Sequence, residues 1–331
     1  MNVDKETYLD ASQSLNRLAK AFDENGDFFQ SEKYTLLAAE IELSSSELQE
    51  CWGGPFNGQE GRIDIISDLI NEIDPDCIIE TGSFRGVSTA WLARNFQKPI
   101  YTCEIERMHA LQAIQNTKQF QNVTVSIEDS RKFLISVLER INPDSSVIFY
   151  LDAHWENDLP LVEELEIIYR RHYRSVVIID DFMVPDDVDY GWDDYGEGKS
   201  LDVRMLAGKV PIGTELFFPT LPGHQESGAR RGCCVIANPQ PAQKIQTLKL
   251  RGSSLDVWLE KREETFGKIS RQEIHAPERV NLSYPEVIRS LRGEINQLNR
   301  HIEAIERDRA QRLSDVLTLT QEIKRLRGEF E

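Results

Sequence analysis

The chain has 331 residues and a formal net charge of −18 at pH 7. This charge argues against a nucleic-acid surface, because no patch of lysine or arginine stands out in the central region. We therefore expect the substrate to be a small molecule, or the end of a glycan or peptide. The amino terminus lacks the apolar segment of a signal peptide, and no apolar run reaches the roughly 18 residues of a membrane span.

The five cysteines, at positions 51, 77, 103, 233 and 234, do not have the spacing of a metal-binding quartet. Cys77 and Cys103 lie within apolar, strand-like runs, so they are expected to be buried free thiols. Free thiols are compatible with a reducing cytoplasm, which is the predicted location.

Helical patterns and apolar strand patterns alternate along most of the chain. The first segment, residues 1–59, has helical apolar spacing up to about residue 50 and ends in a glycine-rich loop at 52–59. Beyond them, strands are predicted at 77–79, 100–105, 123–127, 147–151 and 176–179, with helices at 63–70, 87–96, 108–120, 131–140 and 159–172. Two further strands, at 216–218 and 233–237, form a hairpin at the far edge. This order predicts an α/β fold with a mostly parallel sheet of seven strands covered on both faces.

The last part of the chain carries a seven-residue repeat. Residues 241–285 have a mixed polar pattern and stay unassigned, as a linker or an extension. From 286 to 331, apolar residues recur every seven positions in two series offset by three, interrupted by Arg309 and Arg312. Such a narrow seam predicts a parallel two-stranded coiled coil, and hence self-association. The alternative is one long helix packed against its own domain.

The strand that ends at Glu80 leads into a loop containing Gly82, Ser83 and Gly86, and then into a helix that includes Ser88. A dinucleotide-binding fingerprint would have glycine where Glu80 stands. A carboxylate there repels a pyrophosphate but pairs with an ammonium or sulfonium group. The pattern resembles motif I of class I S-adenosylmethionine-dependent methyltransferases. The resemblance covers residues 60–240 and implies their Rossmann-like fold.

Other acids follow the next strands. The resemblance implies that Glu104, at the end of the second strand, accepts hydrogen bonds from the cofactor ribose, and that Asp129 accepts one from the adenine amino group. Asp129 or Ser130 is alternatively the amino-terminal cap of the following helix. Gln59 or Arg62 can contact the cofactor carboxylate, unless their segment is an ordinary connector. The predicted cofactor contacts are Gln59, Glu80, Gly82, Ser83, Gly86, Ser88, Glu104, Asp129 and Ser130.

Asp152 follows the fourth strand, and Asp180 and Asp181 follow the fifth. Three carboxylates that converge without a counter-charge raise one another's pKa, and a hard divalent cation relieves this repulsion. We therefore expect these residues to bind Mg²⁺ or another divalent cation. The layout resembles catechol-type and macrolide-sugar O-methyltransferases. Glu156 stands where the catechol-type enzymes have a catalytic lysine, which argues against a catechol substrate.

His154 is the candidate general base, and Asp152 can share that role. The alternatives for His154 are a loop residue facing water, a partner in a helix cap, or a further metal ligand. Trp155 is a candidate wall of the acceptor site. His224, Arg230 and Arg231 are candidates for binding an anionic acceptor.

The sequence thus predicts an S-adenosylmethionine-dependent O-methyltransferase, assisted by a divalent metal and acting on a hydroxyl of a sugar, a glycan or a small molecule. Three alternatives stay open. The first is a metal-independent methyltransferase with His154 as the base. The second is a hydroxylase or oxidoreductase on the same fold, and the third is a coiled-coil scaffold with an inactive domain.

Overall fold

The computed structural model of the chain describes residues 5–44, 53–154, 158–171, 174–196, 199–246 and 248–272. The helices are α1 (Lys5–Glu24), α2 (Phe28–Ser44), α3 (Glu60–Ile73), α4 (Val87–Asn95), α5 (Arg107–Thr117), α6 (Ser130–Leu138), α7 (Leu161–Arg171), α8 (Pro239–Ile245) and α9 (Leu255–Gln272). The strands are β1 (Cys77–Thr81), β2 (Ile100–Glu104), β3 (Val123–Ile127), β4 (Val147–Leu151), β5 (Ser175–Ile179), β6 (Glu215–Pro219), β7 (Cys234–Ala237) and β8 (Leu250–Ser253). The predicted coiled coil lies outside the described residues.

The strands form one sheet in the order β3-β2-β1-β4-β5-β7-β6-β8. Strands β1 to β5 are parallel, and β7 is inserted antiparallel between β5 and β6. The predicted fold class is therefore confirmed, and its first seven strands have the arrangement that the resemblance implied. An eighth strand, β8, pairs antiparallel with β6 and lies within the segment that the sequence left unassigned. Trp258 connects the following helix, α9, to β6, because its indole N–H donates to the Leu216 carbonyl at 2.9 Å.

Two apolar layers enclose the sheet. Every residue of β1, β4 and β5 is buried, as their nearly continuous apolar sequences predict. One layer contains the buried faces of α6 and α7, and the other contains those of α3, α4 and α8. Four cysteines in the described chain, Cys77, Cys103, Cys233 and Cys234, are buried free thiols. Among the described helices, none is both long and apolar enough to cross a membrane.

The register of the sheet places four predicted site positions in one row. Cys103, Thr81, Leu151 and Ile179 pair across β2, β1, β4 and β5. The residues that follow them are Glu104, Gly82, Asp152 and Asp180. These four therefore emerge side by side at the carboxyl edge of the sheet, where ligands bind in open α/β folds.

The backbone at Gly82 packs directly against the backbone at Asp152. Gly82 has a φ of +77°, and a Cβ atom built there would lie 2.1 Å from the Asp152 carbonyl oxygen. Only glycine therefore allows the loop after β1 to approach the end of β4 so closely.

We predict that Gly82→Ala lowers the free energy of unfolding by at least about 3 kcal/mol, because it combines backbone strain with a steric clash. Gly208→Ala is the matched control: Gly208 has a φ of +70°, and a Cβ atom there meets nothing within 4 Å. Strain alone should cost about 1 kcal/mol in this control. Urea denaturation measures both variants, and equal losses would contradict the proposed close packing.

Candidate active site

The loop between β1 and α4 is held by its own backbone. Gly82 and Ser83 donate their N–H groups to the Cys103 carbonyl, both at 3.0 Å. Gly86 caps α4 with a φ of +73°, and a Cβ atom there would lie 2.8 Å from the Cα of Ala113 on α5. The Ser83 hydroxyl is buried and has no hydrogen-bond partner among the described residues. The loop thus offers one unsatisfied polar atom at the sheet edge.

Glu80 lies beneath this loop. Its side chain is 1% exposed, and it accepts hydrogen bonds from the hydroxyls of Thr89 on α4 and Thr102 on β2. Burial raises the pKa of Glu80 above its ordinary value, although both hydroxyls oppose the shift. The carboxylate therefore ties α4 to β2, and its predicted contact with the cofactor stays a prediction.

Glu104 ends β2 as predicted, and its carboxylate reaches back to the loop. One oxygen accepts the Phe84 N–H at 2.9 Å, and the other accepts the Glu106 N–H at 2.8 Å. Burial raises the pKa of Glu104, and these amide donors oppose the rise. Each carboxylate oxygen has a second lone pair, so Glu104 retains the capacity to accept from hydroxyl groups. Ile105, the next residue, is apolar and 66% exposed.

The remaining predicted cofactor residues are engaged elsewhere in the fold. Asp129 caps α6, as the alternative interpretation had it, by accepting the Arg131 N–H at 3.0 Å. Ser130 is the first residue of that helix and is buried. The Ser88 hydroxyl accepts the Phe56 N–H at 3.0 Å. Contacts of these side chains with the cofactor stay predictions.

Gln59 binds the backbone of a distant segment. Its amide nitrogen donates to the Arg231 carbonyl at 2.8 Å, and its amide oxygen accepts the Arg231 N–H at 2.9 Å. The side-chain amide thus makes both hydrogen bonds that a neighbouring strand would make to one residue. They join the start of α3 to the connection between β6 and β7. Both polar atoms of this buried side chain are thereby occupied.

The structure brings together Asp152, His154 and Asp181. Each of the three offers one ligand atom, and these atoms all lie within 4.8 Å of one another. His154 is 6% exposed, and its Nε2 atom has no hydrogen-bond partner among the described residues. Nε2 lies 3.8 Å from Asp152 and 3.6 Å from Asp193. A buried, unsatisfied imidazole nitrogen among carboxylates fits a divalent cation.

Asp180, the third predicted metal ligand, is bound to Arg62 and Tyr150, and its contact with a metal stays a prediction. Arg62 projects from the first turn of α3 and forms a buried ion pair with Asp180. The Tyr150 hydroxyl donates to the other carboxylate oxygen at 2.5 Å. Arg62 also donates to the Arg231 carbonyl at 2.6 Å. The expectation that the acids meet without a counter-charge is therefore wrong for Asp180.

Arg231 supplies a second counter-charge. Its Nε donates to Asp181 at 2.8 Å, and one of its terminal nitrogens pairs with Asp193. The guanidinium group is thus committed to two carboxylates, rather than presented to an anionic acceptor. Four ionised carboxylates, of Asp152, Asp180, Asp181 and Asp193, would face two guanidinium groups. The remaining two negative charges equal the charge of one divalent cation.

The acids of this site differ in the direction of their pKa shifts, and the two arginines contribute to the difference. Burial alone would raise the pKa of Asp180, but Arg62 and the Tyr150 hydroxyl outweigh it and hold that pKa below its ordinary value. Burial and the adjacent Asp180 raise the pKa of Asp181 to about 7, against the effect of Arg231. Partial burial and both neighbouring carboxylates raise the pKa of Asp152 well above its ordinary value. Burial lowers the pKa of His154, so the imidazole is neutral at pH 7.

Sequence reasoning missed the roles of Arg62, Arg231 and Asp193. Arg62 did leave a signal, because it occupies the first position of the buried stripe of α3 that continues through Ile65, Ile66 and Leu69. Arg231 left no such signal, since its partners lie about 40 to 170 residues away along the chain. Trp155 and Glu156 lie outside the described residues.

No family model matches the chain, and no curated protein sequence matches it. Solved structures similar to it include an O-methyltransferase of Bacillus cereus in complex with S-adenosylhomocysteine. That match has 15% identity, a TM-score of 0.40, and coverage of 61% of this chain and 89% of the other. Another is the O-methyltransferase TomG of Streptomyces achromogenes, involved in tomaymycin synthesis and bound to S-adenosylmethionine. It has 20% identity, a TM-score of 0.39, and coverage of 54% and 79%.

We predict that Arg62→Met lowers the free energy of unfolding by about 3–5 kcal/mol, because it leaves the Asp180 carboxylate buried without a counter-charge. Lys249→Met is the control. Lys249 pairs with Asp64, which lies on α3 like Arg62, at 3.0 Å, but both side chains are largely exposed. Its loss should stay below about 1 kcal/mol. Denaturant titration distinguishes the two, and similar small losses would mean that the buried pair does not support the fold.

Proposed function

We propose that this protein is an S-adenosylmethionine-dependent O-methyltransferase. One observation supports it above the others: the glycine loop after β1 packs on Asp152, the first residue of the cluster formed with His154 and Asp181. A cofactor held over the loop is thereby adjacent to groups that can bind or deprotonate an acceptor hydroxyl. Donor and acceptor would meet at one edge of the sheet, as group transfer requires.

The residues around the loop fit the cofactor. Glu104 keeps lone pairs for ribose hydroxyls, Ser83 offers an unpaired hydroxyl, and Ile105 presents an exposed apolar side chain suited to the face of a base. When bound, S-adenosylmethionine supplies a methyl group on a cationic sulfonium centre. Carboxylates at this rim favour that positive charge over an anionic cofactor.

The acceptor would be a hydroxyl of a sugar, a glycan or another small molecule. Asp152, His154 and Asp181 would hold a divalent cation, which lowers the pKa of a hydroxyl bound to it. Asp180 has a supporting role in this arrangement, because Arg62 and Tyr150 occupy it. Asp193, Trp192 and Tyr195 lie in the loop after β5, and such aromatic and acidic side chains suit sugar hydroxyls.

We expect S-adenosylhomocysteine to bind the protein and to be bound at least about tenfold more weakly by Glu104→Gln, since a charged acceptor for the ribose is lost. Glu106→Gln changes a neighbouring carboxylate that faces solvent and should leave the affinity unchanged. Calorimetric titration measures all three proteins. Failure of the wild type to bind at millimolar ligand would overturn the proposed cofactor.

A second candidate is metal-independent methyl transfer with His154 as the general base. Two observations favour it: Arg62 and Arg231 already pair with Asp180 and Asp181, and the neutral imidazole has a free Nε2 atom. The base would take the acceptor proton while the methyl group is transferred.

Manganese titration separates the two candidates. If the metal-assisted candidate holds, electron paramagnetic resonance should detect one bound Mn²⁺ per chain. Asp181→Asn should abolish this binding. Asp194→Asn, which changes an exposed side chain, is the control and should retain it. Methyl transfer should stop in EDTA and return with Mg²⁺. Full activity in EDTA, with a drop in kcat of about a hundredfold or more in His154→Ala, would instead establish the second candidate.

Nothing in the described residues favours a hydroxylase, an oxidoreductase or an inactive scaffold. We also propose that the chain self-associates through residues 286–331 as a parallel dimer. A cytoplasmic location remains part of the proposal, supported by the buried free thiols.

A further inference from the structure

Helices α1 and α2 form a hairpin outside the two apolar layers of the sheet domain. Residues of this hairpin appear in neither layer of the described core. Its own buried side chains are small, namely Ser12, Ala19, Ser31, Thr35, Ala38 and Ala39. Small side chains bury little apolar area each. Several larger apolar side chains of the hairpin are exposed, namely Leu9, Leu18, Phe28, Phe29 and Leu37.

Polar contacts connect α2 to the sheet domain. Glu32 pairs with Arg107 at 2.8 Å, Glu40 accepts from Gln115 at 3.3 Å, and Glu42 pairs with Arg85 at 3.3 Å. Several buried polar atoms on the elements that meet here have no hydrogen-bond partner among the described residues: Asn16 Oδ1, Arg85 Nε, Arg107 Nη1 and both amide atoms of Gln112. Unsatisfied buried groups weaken an interface, so these atoms reduce what the polar contacts contribute to the docking.

Only one of these three contacts reaches the cofactor loop. Arg85 lies between Gly82 and Gly86, and its guanidinium group is 5.4 Å from the ring of Phe84. Phe84 has a φ of +47°, which is strained for a residue other than glycine. Its neighbours hold it in place: its N–H binds Glu104, and its ring meets His109 at 4.3 Å. A series of contacts thus runs from Glu42 through Arg85 and Phe84 to Glu104.

We propose that Glu42 is a positioning residue for the cofactor loop, acting through Arg85. The hairpin then helps to keep Phe84 in its strained conformation, and with it the carboxylate expected to bind the ribose. Loss of the Glu42 carboxylate frees Arg85 and lets the loop populate relaxed conformations that bind the cofactor poorly. The inference rests on the proposed function, since it concerns the affinity of that same site.

Glu42→Met tests this, because methionine keeps the helix propensity and removes the carboxylate. Glu32→Met is the matched control: it removes another ion pair of α2, whose partner Arg107 lies outside the loop. In the absence of ligand, amide hydrogen exchange across residues 82–86 should rise in Glu42→Met only. The affinity for S-adenosylhomocysteine should fall about threefold in that variant, the size expected for a partly exposed ion pair.

The kinetic signature is a higher KM for S-adenosylmethionine in Glu42→Met with an unchanged kcat at saturating cofactor. Equal effects in both variants would show general loosening of the hairpin and overturn the inference, as would an unchanged affinity in Glu42→Met. If the wild type fails to bind S-adenosylhomocysteine, the proposed function fails by itself. The exchange measurement then still decides whether Glu42 orders the loop.

Discussion

The buried ion pair between Arg62 and Asp180 fixes the relative positions of α3, the end of β5 and the connection that precedes β7. A guanidinium group this deep in the protein is tolerated only because a carboxylate, a tyrosine hydroxyl and a backbone carbonyl satisfy it together. The same pair distinguishes Asp180 from the other acids at this edge of the sheet. Asp180 is held ionised and occupied, whereas Asp152 and Asp181 keep raised pKa values and face the unsatisfied Nε2 atom of His154. The arrangement of Asp152, His154 and Asp181 therefore depends on the ion pair beside it.

The two arginines also change the argument for a metal. Convergent carboxylates alone would demand a cation, but here Arg62 and Arg231 already compensate half of the negative charge. A divalent ion would complete the compensation instead of providing all of it. A site with these counter-charges can remain folded without an ion, because no uncompensated cluster of four carboxylates forms. Metal binding and folding are then separable properties, unlike in small domains that fold only around their metal.

The sequence was sufficient to predict the fold and the strand ends, because these follow from local patterns. The continuous apolar runs that became β1, β4 and β5, and the glycines at 82 and 86, leave few alternatives for the sheet edge. β8 was not predicted, since Leu250–Ser253 is short and mostly not buried. What the sequence did not predict was which groups bind the acidic side chains. Glu80, Glu104 and Asp180 stand where the pattern placed them, but the groups that bind them are Thr89, Phe84 and Arg62, and their pairing depends on tertiary geometry that no local pattern encodes.

Both flanks of the site are held by the first part of the chain, ahead of β1. At the glycine loop, Glu42 reaches Arg85; near Asp152, His154 and Asp181, Gln59 and Arg62 bind Arg231 and Asp180. Each of the three acts on an acid predicted to bind a ligand. Arg62 contacts Asp180 directly, and Gln59 acts on Asp181 through Arg231. Glu42 acts on Glu104 through Arg85 and Phe84. The sheet supplies the row of strand ends, which many α/β proteins share, and so it cannot by itself select a ligand. Selection must come from the side chains that orient those ends, and in this protein three of them, Glu42, Gln59 and Arg62, precede the sheet.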